Sequence, residues 1–343
     1  MKALRWYGRK DLRYEDIPEP SPAPGQIKVK INLAGICGTD LKEYTDGPGM
    51  IAVEKVPLTL GHEFAGRVAE VGKGVTGFKV GERVTGVGYR YCGECYYCKR
   101  AMYNICLNAG FTGLTVDGCM AEYAVVPSYS VYKLPNSVSD ELGALVEPLA
   151  VAIHAVRQGN VRPGDTVAIV GSGTIGLCVL LAARAAGATE VYVADKIKRR
   201  GEIALTMGAT AFINPDDGAP VKQVANLTDG LGANISFECV GHPDTPQLAL
   251  DLARKSGTTV IVGVFDKPSS VDFFSVMFNQ KTIVGSPIYV HEAKTAIALL
   301  ADKRIDPGRL ITSKVPLKDA VEMGFEKLID NKEENIKVLL QIP

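Results

Sequence analysis

The hydrophobic rhythm of the chain changes near its middle. Up to about residue 150, apolar and polar positions alternate in short runs, the period of strands buried on one face. In Ile27 to Leu33, the residues Ile27, Val29, Ile31 and Leu33 share one face. A strand is predicted over Arg67 to Val71, and another after the turn at Val80-Gly81. Pro18, Pro20, Pro22, Pro24 and Gly25 make a turn-rich connector. Short strands punctuated by Gly and Pro predict a compact, barrel-like β domain.

From 151 to 288 the rhythm becomes apolar runs alternating with helical stretches. Strands are predicted at 166–170, 190–194, 211–213, 234–239, 258–264 and 282–285. Helices are predicted at 175–186, 198–207, 219–227, 245–254 and 270–278. This alternation predicts an α/β fold with a doubly wound parallel sheet. A further helix is predicted at 291–303, and Ile336 to Leu340 reads as a strand with no partner in that sheet.

The first βα turn of this half carries the strongest local signal. Val167 to Val170 is a buried strand, followed by Gly171, Gly173 and Gly176 at G-x-G-x-x-G spacing. An apolar helix runs to Ala186 and stops at Gly187. The next strand, Glu190 to Ala194, ends in Asp195, 19 residues after Gly176. The first glycine permits the tight turn, the second lets the backbone approach a pyrophosphate, and the third lets helix and strand pack closely. The helix N-terminus offers free N–H groups to phosphate. An acid about 20 residues on suits a ribose hydroxyl.

Charge and cysteine content narrow the function. Lys+Arg and Asp+Glu both number 38, so nothing in the bulk charge points to nucleic acid or an anionic membrane. No apolar run reaches 18 residues, and Met1 to Tyr14 has no signal-peptide core. A cytoplasmic location is expected, where disulfides are rare. The eight cysteines then need another explanation. Cys92, Cys95, Cys98 and Cys106 lie on one short loop at metal-ligand spacing. Four thiolates suit structural zinc. An iron–sulfur cluster fits less well, because the fourth Cys follows late and precedes Leu107 instead of a proline. Bare thiols are the remaining alternative. The loop has little apolar content, so a metal is expected to order it. Cys119, Cys178 and Cys239 lie in apolar surroundings and are expected in the core.

Cys37 stands apart, between glycines and just before Thr39 and Asp40. His62-Glu63 and Glu147 are its possible companions, Glu147 being an acid inside the apolar run Leu145 to Leu149. A buried acid is costly unless paired or metal-bound. One thiolate, one imidazole and one or two carboxylates suit an open catalytic zinc site, although spacing leaves a structural role for His62 open.

Taken together, these motifs resemble the zinc-dependent medium-chain alcohol dehydrogenases, and within them the butanediol and sorbitol branches. The carriers are Gly35 to Asp40, Gly61-His62-Glu63, the four-cysteine loop, Glu147 to Ala155 and the glycine turn. The resemblance implies a GroES-like β-rich catalytic domain, residues 1–150 completed by 289–343, and a Rossmann NAD-binding domain, 151–288. It implies an interdomain cleft, a homodimer or homotetramer, and one catalytic and one structural zinc per subunit. Cys37, His62 and Glu147 would bind catalytic zinc, with Glu63 able to replace a ligand. Cys92, Cys95, Cys98 and Cys106 would bind structural zinc. Gly171, Gly173 and Gly176 would hold the pyrophosphate, Asp195 the ribose and Arg200 the adenine, with Thr174, Ile175 and Val240 beside the cofactor.

The implied chemistry is hydride transfer from a secondary alcohol or vicinal diol to NAD, with 2,3-butanediol and acetoin as the expected pair. Thr39 would take the first proton. Relatives often place a His five residues after the cysteine ligand, where this chain has Lys42. Asp195 favours NAD, while Lys196, Lys198, Arg199 and Arg200 leave NADP open. Ile288 stands before Tyr289 where sorbitol-type enzymes commonly carry Arg, which favours a methyl-bearing diol over a long polyol. Leu149-Ala150-Val151 replaces the Gly-Asn pair usual in threonine dehydrogenases. Leu41, Tyr44 and Phe111 are candidate pocket residues. A polyol dehydrogenase is the nearest rival. A zinc-free reductase would lack Cys37, His62 and Glu147, and a non-catalytic NAD sensor would have no need of them.

Overall fold

The computed structural model describes residues 1–343. Two compact units emerge: Met1–Glu147 with Ala293–Lys303 and Ile311–Pro343, and Pro148–Glu292 with Arg304–Leu310.

The first unit is organised around strand Gln26–Gly35. It pairs antiparallel with Glu63–Val71, Tyr123–Pro127 and Lys337–Gln341 within a seven-stranded sheet. The alternation read from sequence is real: Ile27, Val29 and Ile31 are fully buried. Strand Glu63–Val71 starts four residues before the predicted Arg67, because Phe64 and Ala65 are also sealed in the core. The terminal strand Lys337–Gln341 lies parallel to Ile311–Pro316 and antiparallel to Gln26–Gly35. Val338, Leu339 and Leu340 are all fully buried, so both faces of this strand are covered.

The second unit holds a six-stranded, all-parallel sheet. Its order is Ala211–Ile213, Glu190–Ala194, Thr166–Val170, Ala233–Glu238, Ala253–Ile261, Thr282–Gly285. This is the doubly wound Rossmann arrangement, with the order reversing beside the first strand. Val170 is registered against Ala194 on one side and Glu238 on the other. The residues that follow, Gly171, Asp195 and Cys239, therefore emerge at the same sheet edge. Helix Thr245–Leu252 ends earlier than predicted, since Ala253 already pairs with Ala233. The helix predicted at 270–278 covers only Phe273–Phe278, where Asp272 caps Phe274 N and Ser275 N. No helix is long and apolar enough to cross a membrane.

Candidate metal centres and nucleotide-binding turn

The four-cysteine loop brings its sulfurs together. Cys92–Cys106, Cys95–Cys106 and Cys92–Cys98 Sγ separations are 3.5, 3.9 and 4.0 Å, and all four sulfurs lie within 4.8 Å of one another. Disulfide sulfurs sit about 2 Å apart. Zinc–sulfur bonds of about 2.3 Å place tetrahedral sulfurs about 3.8 Å apart, so the donor set fits zinc. The N–H groups of Cys95 and Asn108 donate to Cys92 Sγ and Cys106 Sγ at 3.4 and 3.3 Å. The N–H groups of Cys98 and Leu107 bring the Cys95 thiol down to about 6. Such donors favour thiolate, the form that binds metal. Aromatic rings pack beside the loop. Tyr91 stacks between Tyr103 and Tyr129, each with ring centres 4.3 Å away.

The second group is assembled from distant segments. Cys37 is the N-cap of helix Gly38–Asp46, and its N–H donates to Asp40 Oδ2 at 2.9 Å. Asp40 Oδ1 accepts from Gly61 N at 3.3 Å and lies 3.9 Å from His62 Nδ1. Strand pairing then delivers Glu63, registered against Gly35. Ligand atoms of Cys37, His62 and Glu63 all lie within 4.8 Å of one another. Glu147, near the start of helix Val146–Gln158, is buried close by. Burial opposes protonation of His62, yet the fields of Cys37, Asp40 and Glu147 raise it to about 10. Those same negative groups also favour a metal cation in the proton's place. His62 Nδ1 is buried without a hydrogen-bond partner. Thiolate, imidazole and carboxylate gathered within 4.8 Å of one another fit zinc.

The structure brings Glu63, not Glu147, into the tightest group, and it adds a residue the sequence reading missed. Lys337 Nζ donates to both Glu63 oxygens, at 2.8 and 2.7 Å. The available signal was a lone Lys inside the apolar run Ile336 to Leu340. Thr39 Oγ1 lies 3.8 Å from Cys37 Sγ, and Lys42 is half-buried one turn further along the same helix. Phe111 meets the His62 ring edge-on at 4.9 Å. Leu41 packs against the core. Tyr44 is buried, and its hydroxyl donates to Glu326.

At the glycine turn, Gly171 has φ +96°, and a Cβ there would sit 2.6 Å from Val240 Cγ2. A Cβ on Gly176 would lie 1.8 Å from Gly171 O, so helix and turn meet only without a side chain. A Cβ on Gly173 would meet nothing nearer than Arg200 Nη1, at 3.9 Å, so its backbone stays approachable. Helix Thr174–Ala186 begins there, with Thr174 and Ile175 half-buried. Asp195 is already oriented. Its Oδ2 accepts from Ser172 N and Oγ at 2.7 and 2.8 Å, and its Oδ1 from Ile197 N at 2.9 Å. Burial lowers the Arg200 pKa against the opposing field of Asp195. Lys196, Lys198 and Arg199 are exposed, and Arg199 pairs with Glu202. Cys119 and Cys178 are core residues, but Cys239 is only half-buried, because its strand ends at Glu238.

Comparison with known proteins agrees with this geometry. Residues 23–136 match the alcohol dehydrogenase GroES-like domain, and residues 174–302 match the zinc-binding dehydrogenase family. The (R,R)-butanediol dehydrogenase of Bacillus subtilis (strain 168) is 37% identical, covering 99% of both chains. The sorbitol dehydrogenase of the same organism is 35% identical, over 99% of this chain and 97% of its own. An X-ray crystal structure of 2R,3R-butanediol dehydrogenase from Bacillus subtilis superposes with a TM-score of 0.92 at 36% identity, covering 99% of each chain. The chain belongs to the zinc-dependent medium-chain alcohol dehydrogenase family and is an NAD-dependent zinc alcohol dehydrogenase.

Proposed function

We propose that this alcohol dehydrogenase interconverts (R,R)-2,3-butanediol and acetoin. The observation that carries the reading is the buried Cys37, His62 and Glu63 group, in a chain similar over its whole length to a butanediol dehydrogenase. Ile288, half-buried beside the buried Tyr289, supports a substrate with methyl ends. When bound, zinc supplies a Lewis acid for the hydroxyl and NAD the hydride acceptor. Cys37, His62 and Glu147 would hold that zinc, with Glu63 in reserve. The Thr39 hydroxyl takes the substrate proton, and Lys42 or water receives it next. Gly171, Gly173, Thr174, Ile175 and Gly176 seat the pyrophosphate. Asp195 holds the ribose, Arg200 the adenine, and Val240 packs beside the cofactor. In this reading residues 1–150 and 289–343 are the catalytic domain, and 151–288 bind NAD.

The test is NADH formation on (R,R)-2,3-butanediol, meso-butanediol, sorbitol and threonine. Fastest turnover on the (R,R) diol is expected. Preference for sorbitol would move the enzyme to the polyol reading, which the likeness to a sorbitol dehydrogenase favours.

The enzyme acts as a homo-oligomer in this account. Strand Thr282–Gly285 is a sheet edge, and beside it in sequence Phe273, Phe274, Met277 and Phe278 are 71, 66, 65 and 68% exposed. An apolar edge of this kind calls for cover, here by a second copy.

A further inference from the structure

Strand order puts Glu63 and Lys337 on opposite sides of Gly35. Strand Gln26–Gly35 runs between their strands, with Gly35 registered against Glu63 on one side and Leu339 on the other. Lys337 reaches across. Its Nζ donates to both Glu63 oxygens and to Ile36 O at 2.8 Å. The two side chains are 2% and 1% exposed. The crossing exists because residue 35 has no side chain: a Cβ there would lie 2.0 Å from Glu63 Oε2. A buried ion pair costs more in desolvation than its attraction returns unless every remaining hydrogen bond is made. Here Lys337 makes three, and the carboxylate it takes is one of the three ligand-type groups gathered within 4.8 Å.

We propose that Lys337 is a positioning residue that withholds Glu63 from the catalytic metal. By engaging both carboxylate oxygens, it leaves Cys37, His62 and Glu147 as ligands and keeps one position open for the substrate. Catalytic zinc sites need that open position, whereas four protein ligands make a closed, structural one. The proposal rests on the catalytic-zinc reading above. It makes the final strand of the chain part of the metal site. Without the Lys337 cation, Glu63 turns to the metal and closes the site.

Full-length enzyme carrying cobalt(II) in place of zinc tests this. Subtracting the spectrum of Cys37→Ala protein removes the contribution of the four-cysteine site. Lys337→Met should shift the Cys37-dependent bands, slow metal removal by a chelator, and cut turnover about 10–100-fold, the usual scale for a residue supporting a ligand. Lys337→Arg should keep the wild-type bands. Glu63→Gln combined with Lys337→Met should restore them, since the freed carboxylate is gone. Unshifted bands in Lys337→Met, or a double variant that keeps the shift, would overturn the proposal. Should Lys337→Met not fold, Gly35→Ala decides. It keeps both charges and its closest intrusions all fall on the Glu63 side chain, so shifted bands support the clamp and wild-type bands refute it. Wild-type enzyme without any Cys37-dependent band would instead defeat the catalytic-metal reading, a result distinct from both.

Discussion

The two cysteine centres of this enzyme are built in opposite ways. The four-cysteine site is local: its ligands fall between Cys92 and Cys106, on a loop with two half-buried sulfurs and tyrosine support. The Cys37 site is assembled: a helix cap, a strand start, a helix start and the terminal strand converge on it, and His62, Glu63 and Glu147 are all buried. A local site can order its own loop but has no spare ligand position. An assembled site inherits its geometry from the sheet and can leave a position open. In the proposed reading, stability belongs to the first and chemistry to the second.

The largest effect should follow from breaking the assembled site. Cys37→Ala should lower kcat/KM about 10³-fold or more, since Lewis-acid stabilisation is worth several kcal/mol. Its melting temperature should move little. Cys95→Ala should do the reverse. With the local site lost, the melting temperature should fall by about 10 °C, because each kcal/mol is worth about 2–4 °C in a unit of this size, while residual folded enzyme keeps its kcat. Calorimetry and steady-state kinetics on both variants check the contrast.

A smaller effect should sharpen the cofactor end. Asp195→Ala removes a carboxylate held by Ser172 and Ile197 that, in the proposed reading, opposes a 2′-phosphate. The NAD-over-NADP ratio of kcat/KM should fall about 10–100-fold, equivalent to about 1.4–2.8 kcal/mol. An unchanged ratio would remove Asp195 from cofactor choice. For the exposed edge, the proposed oligomer should appear in sedimentation velocity of the wild type and give way to monomer in Phe278→Glu.

The smallest effect is a pH dependence confined to the second unit. Burial would raise the Glu292 carboxyl, but the His154 ring, the Val290 N–H and Arg157 outweigh it and hold it at about 2, below the usual 4.5. A folded pKa below the unfolded one adds stability above the unfolded value, and this is lost as pH falls through the folded value. The contribution should be complete above about pH 5 and fade between 4.5 and 2. Solvent screening keeps it on the order of 1 kcal/mol. Melts of wild type and Glu292→Gln should differ most near pH 6 and converge near pH 2.

What was legible in the sequence follows the same local-versus-assembled divide. The glycine turn, Asp195 and the four cysteines are short-range patterns, and their neighbours in sequence are their neighbours in space. Strand ends were less legible. Pairing, not propensity, starts Ala253–Ile261 early and pulls Glu63 into a ladder. Nothing near Tyr44 in sequence reveals its partner Glu326, 282 residues away. Lys337 is 274 residues from Glu63, and only the order of strands across Gly35 brings the two together.

The division of labour between the two centres is tested most directly by measuring zinc content and turnover on the same samples of wild-type and Cys37→Ala enzyme. The account predicts that the variant loses one of two zinc ions per chain together with its turnover, and that the four-cysteine site stays filled. A variant that keeps both ions, or that loses one and still oxidises the diol at the wild-type rate, would contradict it.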